Sequence, residues 1–192
     1  QRDHKENDII FSQIINEANN FNGSNQFILA DSITKKLSVD FGAITKMYTR
    51  DNDVVAMCED KVVKILSSGK NALFEADGNF QLISSSAVLG QTIPYQGDFG
   101  CQHPESFAQD EYRIYFVDKA RGAVVRLSRD GLTSISDVGM NDWFNDQLIN
   151  SQSIVGSFDG KKQEYNITLH EVTHPNFKKN VYTLSYSEVN GG

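Results

Sequence analysis

The spacing of apolar residues along this chain changes near residue 50, from a rhythm of three and four to an alternation of two. Within residues 6–20, Ile10, Phe11, Ile14, Ile15 and Ala18 recur at helical intervals, which predicts an amphipathic helix with Asp8 at its cap. Residues 26–49 mix weak alternation with turn residues. From residue 53 the alternation predicts strands at 54–58 and 61–66, joined by a Glu59-Asp60 turn. Two more follow, at 71–75 and 80–84, around Ala76-Asp77-Gly78-Asn79, and the four are expected to form one antiparallel meander. Residues 85–106 carry Gly, Pro and Gln without a period and are expected to form a long loop with a defined task.

The alternation resumes at 112–117. Asp118-Lys119-Ala120-Arg121-Gly122 is expected to be a loop in which Gly122 supplies a positive φ. Strands at 123–127 and 132–135 follow around a turn at 128–131. Met140, Trp143, Phe144 and Leu148 share a helical face, predicting a short helix over 141–149 capped by Asn141. Strands are then predicted at 153–158, 162–170 and 180–187, with Asp159-Gly160 as a hairpin signal.

Three segments, around Asp60, Asp118 and Asp159, echo one another as strand, Asp turn, strand, but at unequal offsets of 58 and 41 residues. The expected architecture is mainly β, in antiparallel propeller-like meanders, with a helical or mixed segment over 1–50, a β-rich region over 51–192 and one short internal helix. There is room for two or three four-stranded blades, whereas a ring needs about four. The rest of such a ring would lie outside this chain, or the sheets pack in another way. A start without Met and an end at Gly191-Gly192, right after a strand-like run, give the expectation of a fragment of something longer.

Composition narrows the function classes. Apolar residues make up 39% and charged residues 22%, enough for a packed core, and twelve Phe with seven Tyr favour sheets. The net charge is −7, spread over both halves: nine basic against twelve acidic residues in 1–96, and nine against thirteen in 97–192. No Lys/Arg cluster of the kind that neutralises phosphates is present, which disfavours specific nucleic-acid binding. Such a surface still suits DNA that slides past without sticking. Cys58 and Cys101 are too few for a disulfide scaffold and are expected to remain thiols. No apolar run approaches the ~20 residues of a membrane span, and no secretory leader is evident.

One motif carries sharp chemistry. His170-Glu171-Val172-Thr173-His174 has the letters of the zinc-protease signature, which works only on a helix, where the two imidazoles share a face. Here Tyr165, Ile167 and Leu169 alternate with polar residues, and Pro175 turns His174 away from helical angles. In a strand the two histidines stand roughly 13 Å apart, too far for one metal, so a hairpin arm and a solvated loop are expected and a zinc peptidase is the rejected rival. Asp77-Gly78-Asn79 lacks the spaced carboxylates of a calcium loop, and Asp98-Phe99-Gly100 lacks the other parts of a kinase; both are expected to be turns. Asp3 with His4, and His103 with Glu105, have no nucleophile placed beside them. Asn166-Ile167-Thr168 fits glycosylation letters only by coincidence when no leader precedes it. No catalytic, cofactor-binding or metal-binding residue is expected.

The text from Thr92 to Gly100, then Pro104 to Gln109, then Tyr112 to Phe144 (YRIYFVDKARGAVVRLSRDGLTSISDVGMNDWF) resembles tail proteins of crAss-like podophages. The similarity is greatest to the muzzle, or nozzle, protein at the distal end of the short tail; it is strong over 92–148, fair over 53–91 and 151–192, and vague before 50. The resemblance implies a β-propeller elaborated with other β domains, assembled as a homo-oligomeric ring around the DNA channel in contact with other tail proteins and fibres. It implies structural work in the virion tail, after synthesis in the bacterial cytoplasm, with no catalysis and no cofactor. Loops 85–106 and 174–180 would touch neighbouring subunits or fibres. The alternative is a tail adhesin or fibre-docking module that binds host glycans through exposed aromatics such as Tyr95, Phe99 and Phe177.

Overall fold

The computed structural model describes residues 5–16, 20–28, 33–67, 70–74, 80–84, 87–173 and 179–188. The chain is mainly β, and every strand pairing among the described residues is antiparallel. It divides into two compact units, one formed by residues 1–57 and 63–94, the other by 58–62 and 95–192.

In the first unit β1 (Asp8–Ile10) pairs with β4 (Thr34–Lys36), and β2 (Ile15–Asn16) with β3 (Phe21–Asn22). The helix expected over 6–20 is therefore corrected: among the described residues of that stretch there is no helix, and 8–10 and 15–16 are strands, while 17–19 lie outside the described residues. The physical reason lies in the residues that suggested it: Ile10, Ile14 and Ile15 are 64%, 59% and 62% exposed, so they share no buried face, and among the described residues of that run only Ile9 is buried in the core. A short helix without a packed stripe is marginal, and four isoleucines, stiff at χ1, suit a pleated strand better. Asp8, expected as a cap, instead pairs with Lys36 across the ladder.

The main sheet of this unit has the order β10-β7-β6-β5, from β5 (Ile44–Arg50), β6 (Asp53–Cys58), β7 (Val62–Ser67) and β10 (Leu89–Pro94). Val55, Ala56, Met57, Val63 and Ile65 form its buried interior, and the Asp51-Asn52 turn sets Asp51 at φ 53°. The expected single meander over 53–84 is also corrected. β8 (Lys70–Phe74) and β9 (Phe80–Ser84) form a separate two-stranded hairpin, and the place beside β7 is taken by β10, from within the expected 85–106 loop. Gly90 and Pro94 concealed that strand. It lies at the sheet edge, where proline costs no ladder bond, and it bulges between Leu89 and Thr92.

The second unit holds a four-stranded meander, β11 (Ala108–Gln109), β12 (Ile114–Asp118), β13 (Ala123–Ser128) and β14 (Gly131–Ser134), and a three-stranded one, β15 (Ser153–Asp159), β16 (Glu164–Thr173) and β17 (Lys179–Ser187). Both follow chain order; the alternation predicts their strands except β11, which sequence reasoning did not anticipate. Between them lies α1 (Asn141–Asn150), the expected internal helix. Its cap position is occupied by Met140 without a side-chain bond, so Asn141 is the first helical residue and not the cap. Gly122 has φ 63°, as expected for its turn. The Asp159 hairpin differs in detail: Asp159 Oδ1 accepts from Lys161 N, and the positive φ, 56°, falls on Gln163 and not on Gly160. The core comprises Tyr115, Val117, Val124, Leu148, Ile154, Tyr165, Ile167 and Leu169, with Trp143, Phe144 and Tyr182 packed against it.

Candidate functional site

The second unit is organised around residues 95–107, which include the remainder of the 85–106 segment expected to be a long loop with a defined task. A 3-10 turn spans Pro104–Ser106, and the segment is tied down along its length. Tyr95 N donates to Val62 O (3.0 Å) and Cys101 N to Cys58 O (2.9 Å). Gln102 Nε2 donates to Glu59 O, while its Oε1 accepts from Lys119 N at 2.8 Å. The fully buried Asp118 carboxylate accepts from Gly100 N (2.9 Å), Arg121 N (3.1 Å) and Arg121 Nη1 (2.9 Å), so its charge is matched by three donors.

Ser106 completes the lock. Its hydroxyl donates to His103 O (2.7 Å) and accepts from Val117 N (3.1 Å), and its carbonyl accepts from the Tyr165 phenol. Two glycines permit this closeness: a Cβ on Gly100 would collide with the Glu59 carbonyl, and one on Gly156 with the Ser106 carbonyl. Burial, reinforced by Lys119, pushes the His103 pKa down, which favours its neutral form.

A second constellation joins the two meanders. Tyr115 stacks on Tyr165 (centroids 5.0 Å, 13°) and on Phe158 (5.7 Å, 9°). Its hydroxyl donates to Glu188 Oε1 at 2.7 Å, and Arg126 Nη1 reaches both oxygens of that carboxylate at 3.0 and 2.9 Å. Burial raises the Glu188 pKa, but the hydrogen bonds from Tyr115 and Arg126 and the arginine charges outweigh it, leaving the carboxyl below its ordinary range. Burial and the bond to Glu188 push the Tyr115 phenol up. Beside this cluster an apolar cleft of about 100 Å³ lies among Ile135, Val138, Met140, Phe144, Leu184 and Tyr186.

The residues singled out from sequence are scattered. His170 sits in β16 opposite Ser153, and the strand continues through Glu171 to Thr173. The helix that the zinc signature requires is thus absent from 170–173; His174 lies outside the described residues. Asp98 is exposed and held below the carboxylate range by the hydrogen bond and charge of Lys61, while Gly100 is buried in the lock. Asn166 is in mid-strand and accepts from Ser185 Oγ. Tyr95 and Phe99 are half-buried. Asp3, His4, Asp77, Gly78, Asn79 and Phe177 lie outside the described residues. Neither Cys58 nor Cys101 is in a disulfide, and both are buried. Among the described residues no group of three or more His, Cys, Asp or Glu side chains converges as a metal site would, and no helix is long and apolar enough to cross a membrane.

Sequence reasoning missed Gln102, Ser106, Asp118 and Glu188 as organising residues. Only Asp118 gave a signal, as an Asp opening a Gly-closed turn. It also missed Tyr112, 60% exposed with the Arg129 guanidinium 4.9 Å above its ring. No protein-family model matches the chain, and no curated protein matches it.

Proposed function

We propose that this chain is a structural building block of a bacteriophage short tail, of the muzzle or nozzle type, and forms part of the wall through which the genome leaves. The reading is carried by the resemblance of residues 92–148 to such proteins, and what supports it physically is what that stretch does in the fold. It supplies the locked segment 95–107 and the meander β11–β14. That meander has the strand number and order of one propeller blade, in keeping with a propeller-like arrangement completed by other chain segments. Its polar side chains go to holding backbone: Asp118, Gln102 and Ser106 each bind main-chain groups. Stiff hairpins pinned in this way serve as wall elements, and a net charge of −7 keeps a passing phosphate backbone from adhering. A ring of copies in the tail, in contact with other tail proteins and fibres, follows from the same reading.

The experiment is to locate the chain in an intact virion by labelling an exposed position, such as Val39, and imaging single particles. Density at the distal end of the tail is the expected result. Density in the head interior or at the portal sinks the assignment, and stoichiometric zinc in the purified protein, lost on His170→Ala, would replace it with a peptidase.

A further inference from the structure

β17 ends the sheet order β15-β16-β17, and among the described residues no strand pairs with its other side. It is nine residues long. Exposed edges of that length are ordinarily blunted by proline, by charge or by a bulge that twists them away. β17 begins with Lys179, and its ladder to β16 shifts register between Leu169 and Val172, so charge and irregularity are confined to its first residues. From Val181 to Ser187 there is neither a proline nor a charged residue, and the ladder runs without a break from Glu164↔Ser187 to Leu169↔Tyr182.

The cleft beside Phe144 adds a second feature. It is bounded by Leu184, Ser185 and Tyr186 in succession. Ser185 turns its hydroxyl to Asn166 on the opposite face, so it meets the cleft with its main chain. Val138 and Met140, which also line the cleft, are 75% and 41% exposed. Main-chain groups ready to pair, next to an apolar recess for inward side chains, are the two parts of a strand-addition site. The strand is also held in place beforehand, because Glu188, directly after it, is fixed by Arg126 and Tyr115, which lowers the ordering cost of association.

We propose that this edge pairs antiparallel with the β17 of a second copy of this chain. Each copy carries a net charge of −7, so two copies repel wherever acidic surface meets, and an uncharged edge is where that repulsion is least. The strand is also self-complementary. In a register centred on Leu184, Tyr182 of each copy faces Tyr186 of the other, and Thr183 faces Ser185. Tyr182, Leu184 and Tyr186 pack towards the core side, so the added strand sets its own aromatic row over the recess, while the outward row is uncharged from Val181 to Ser187. A contact of identical strands closes on itself and makes pairs; a ring needs a further head-to-tail surface. The inference therefore stands apart from the conduit reading.

The test is sedimentation velocity on the full chain, with hydrogen exchange across a concentration series. A reversible dimer is expected, with the amides of β17 gaining protection as it forms. Thr183→Asp with Ser185→Asp sets carboxylates opposite carboxylates at two exposed positions and is expected to weaken pairing roughly tenfold or more. Thr183→Lys with Ser185→Lys does the same alone, and mixing the two variants restores a heterodimer. A wild-type chain that stays monomeric at about 100 µM, a dimer that persists in the Asp variant, or protection confined to other strands overturns the proposal.

Discussion

The phenol of Tyr165 in β16 donates to the main-chain carbonyl of Ser106, 2.6 Å away and 59 residues earlier in the chain. Ser106 is fully buried, and the Gly156 position beside it leaves no room for a side chain against the same carbonyl. Tyr165→Phe keeps the ring stack on Tyr115 but strands a buried acceptor, and is expected to cost ~1–3 kcal/mol. Gly156→Ala forces main chain apart and is expected to cost at least as much. Urea unfolding of the two single variants and the double checks both values. Because both changes act on one carbonyl, the double should fall short of the sum by ~0.5 kcal/mol or more.

Gly100 poses a sharper steric case. Its amide donates to the buried Asp118 carboxylate while its Cα faces the Glu59 carbonyl. A methyl there meets backbone, which cannot rotate away. Gly100→Ala is expected to lower stability by ~2–4 kcal/mol, in the range of severe overpacking. Gly160→Ala, where nothing lies within 4 Å, is the matched control and should leave the unfolding midpoint unchanged. Equal effects at the two positions would show that the lock around residues 95–107 does not carry load.

Much of the second unit was legible in the sequence. Trp143, Phe144 and Leu148 announced α1 because three apolar residues at helical spacing stand in a chain otherwise alternating by two. β12 to β17 announced themselves by apolar alternation between turn residues, even where, as in β12, all five positions are buried. The first unit was less legible. Ile10, Ile14 and Ile15 imitate a helical stripe, but nothing covers them, and periodicity cannot report whether a partner exists. β10 was hidden by Gly90 and Pro94, residues that mark loops unless the strand is an edge. The lock was least legible of all. Gln102, Ser106 and Glu188 take their roles from partners 43, 59 and 73 residues away, and a polar residue with a distant partner looks in sequence like any solvated one.

Burial, with a contribution from Glu59, pushes the Cys58 thiol up to about 11 from an ordinary value of 9.0. Cys101 is buried as well. Reaction with a disulfide reagent at pH 8 requires thiolate and access, and the folded chain offers neither at Cys58. Essentially no labelling is expected in buffer, and two thiols per chain in denaturant. The sign at high pH follows: the folded value lies above the unfolded one, so this contribution to stability is complete below about pH 9 and is lost as pH rises towards 11. Rapid labelling of the native protein, counted by mass spectrometry, would mean that the β6–β7 turn opens far more readily than its burial implies.

Glu188 gives the opposite limb. Its folded pKa lies below the ordinary 4.5, because the bonds from Tyr115 and Arg126 outweigh its burial. A depressed carboxyl stabilises the fold in full once the unfolded group is ionised, above about pH 4.5, and the benefit disappears as pH falls through the folded value. Glu188→Gln removes that dependence while keeping the shape and one acceptor oxygen. At pH 7 it leaves the Arg126 guanidinium only partly matched, for an expected cost of ~1–3 kcal/mol. Denaturation midpoints of the wild type and the variant should therefore converge between pH 6 and the acid limit, the wild type losing more over that interval. Parallel acid profiles would mean that the ion pair joining β17 to β13 contributes nothing to holding the two meanders together.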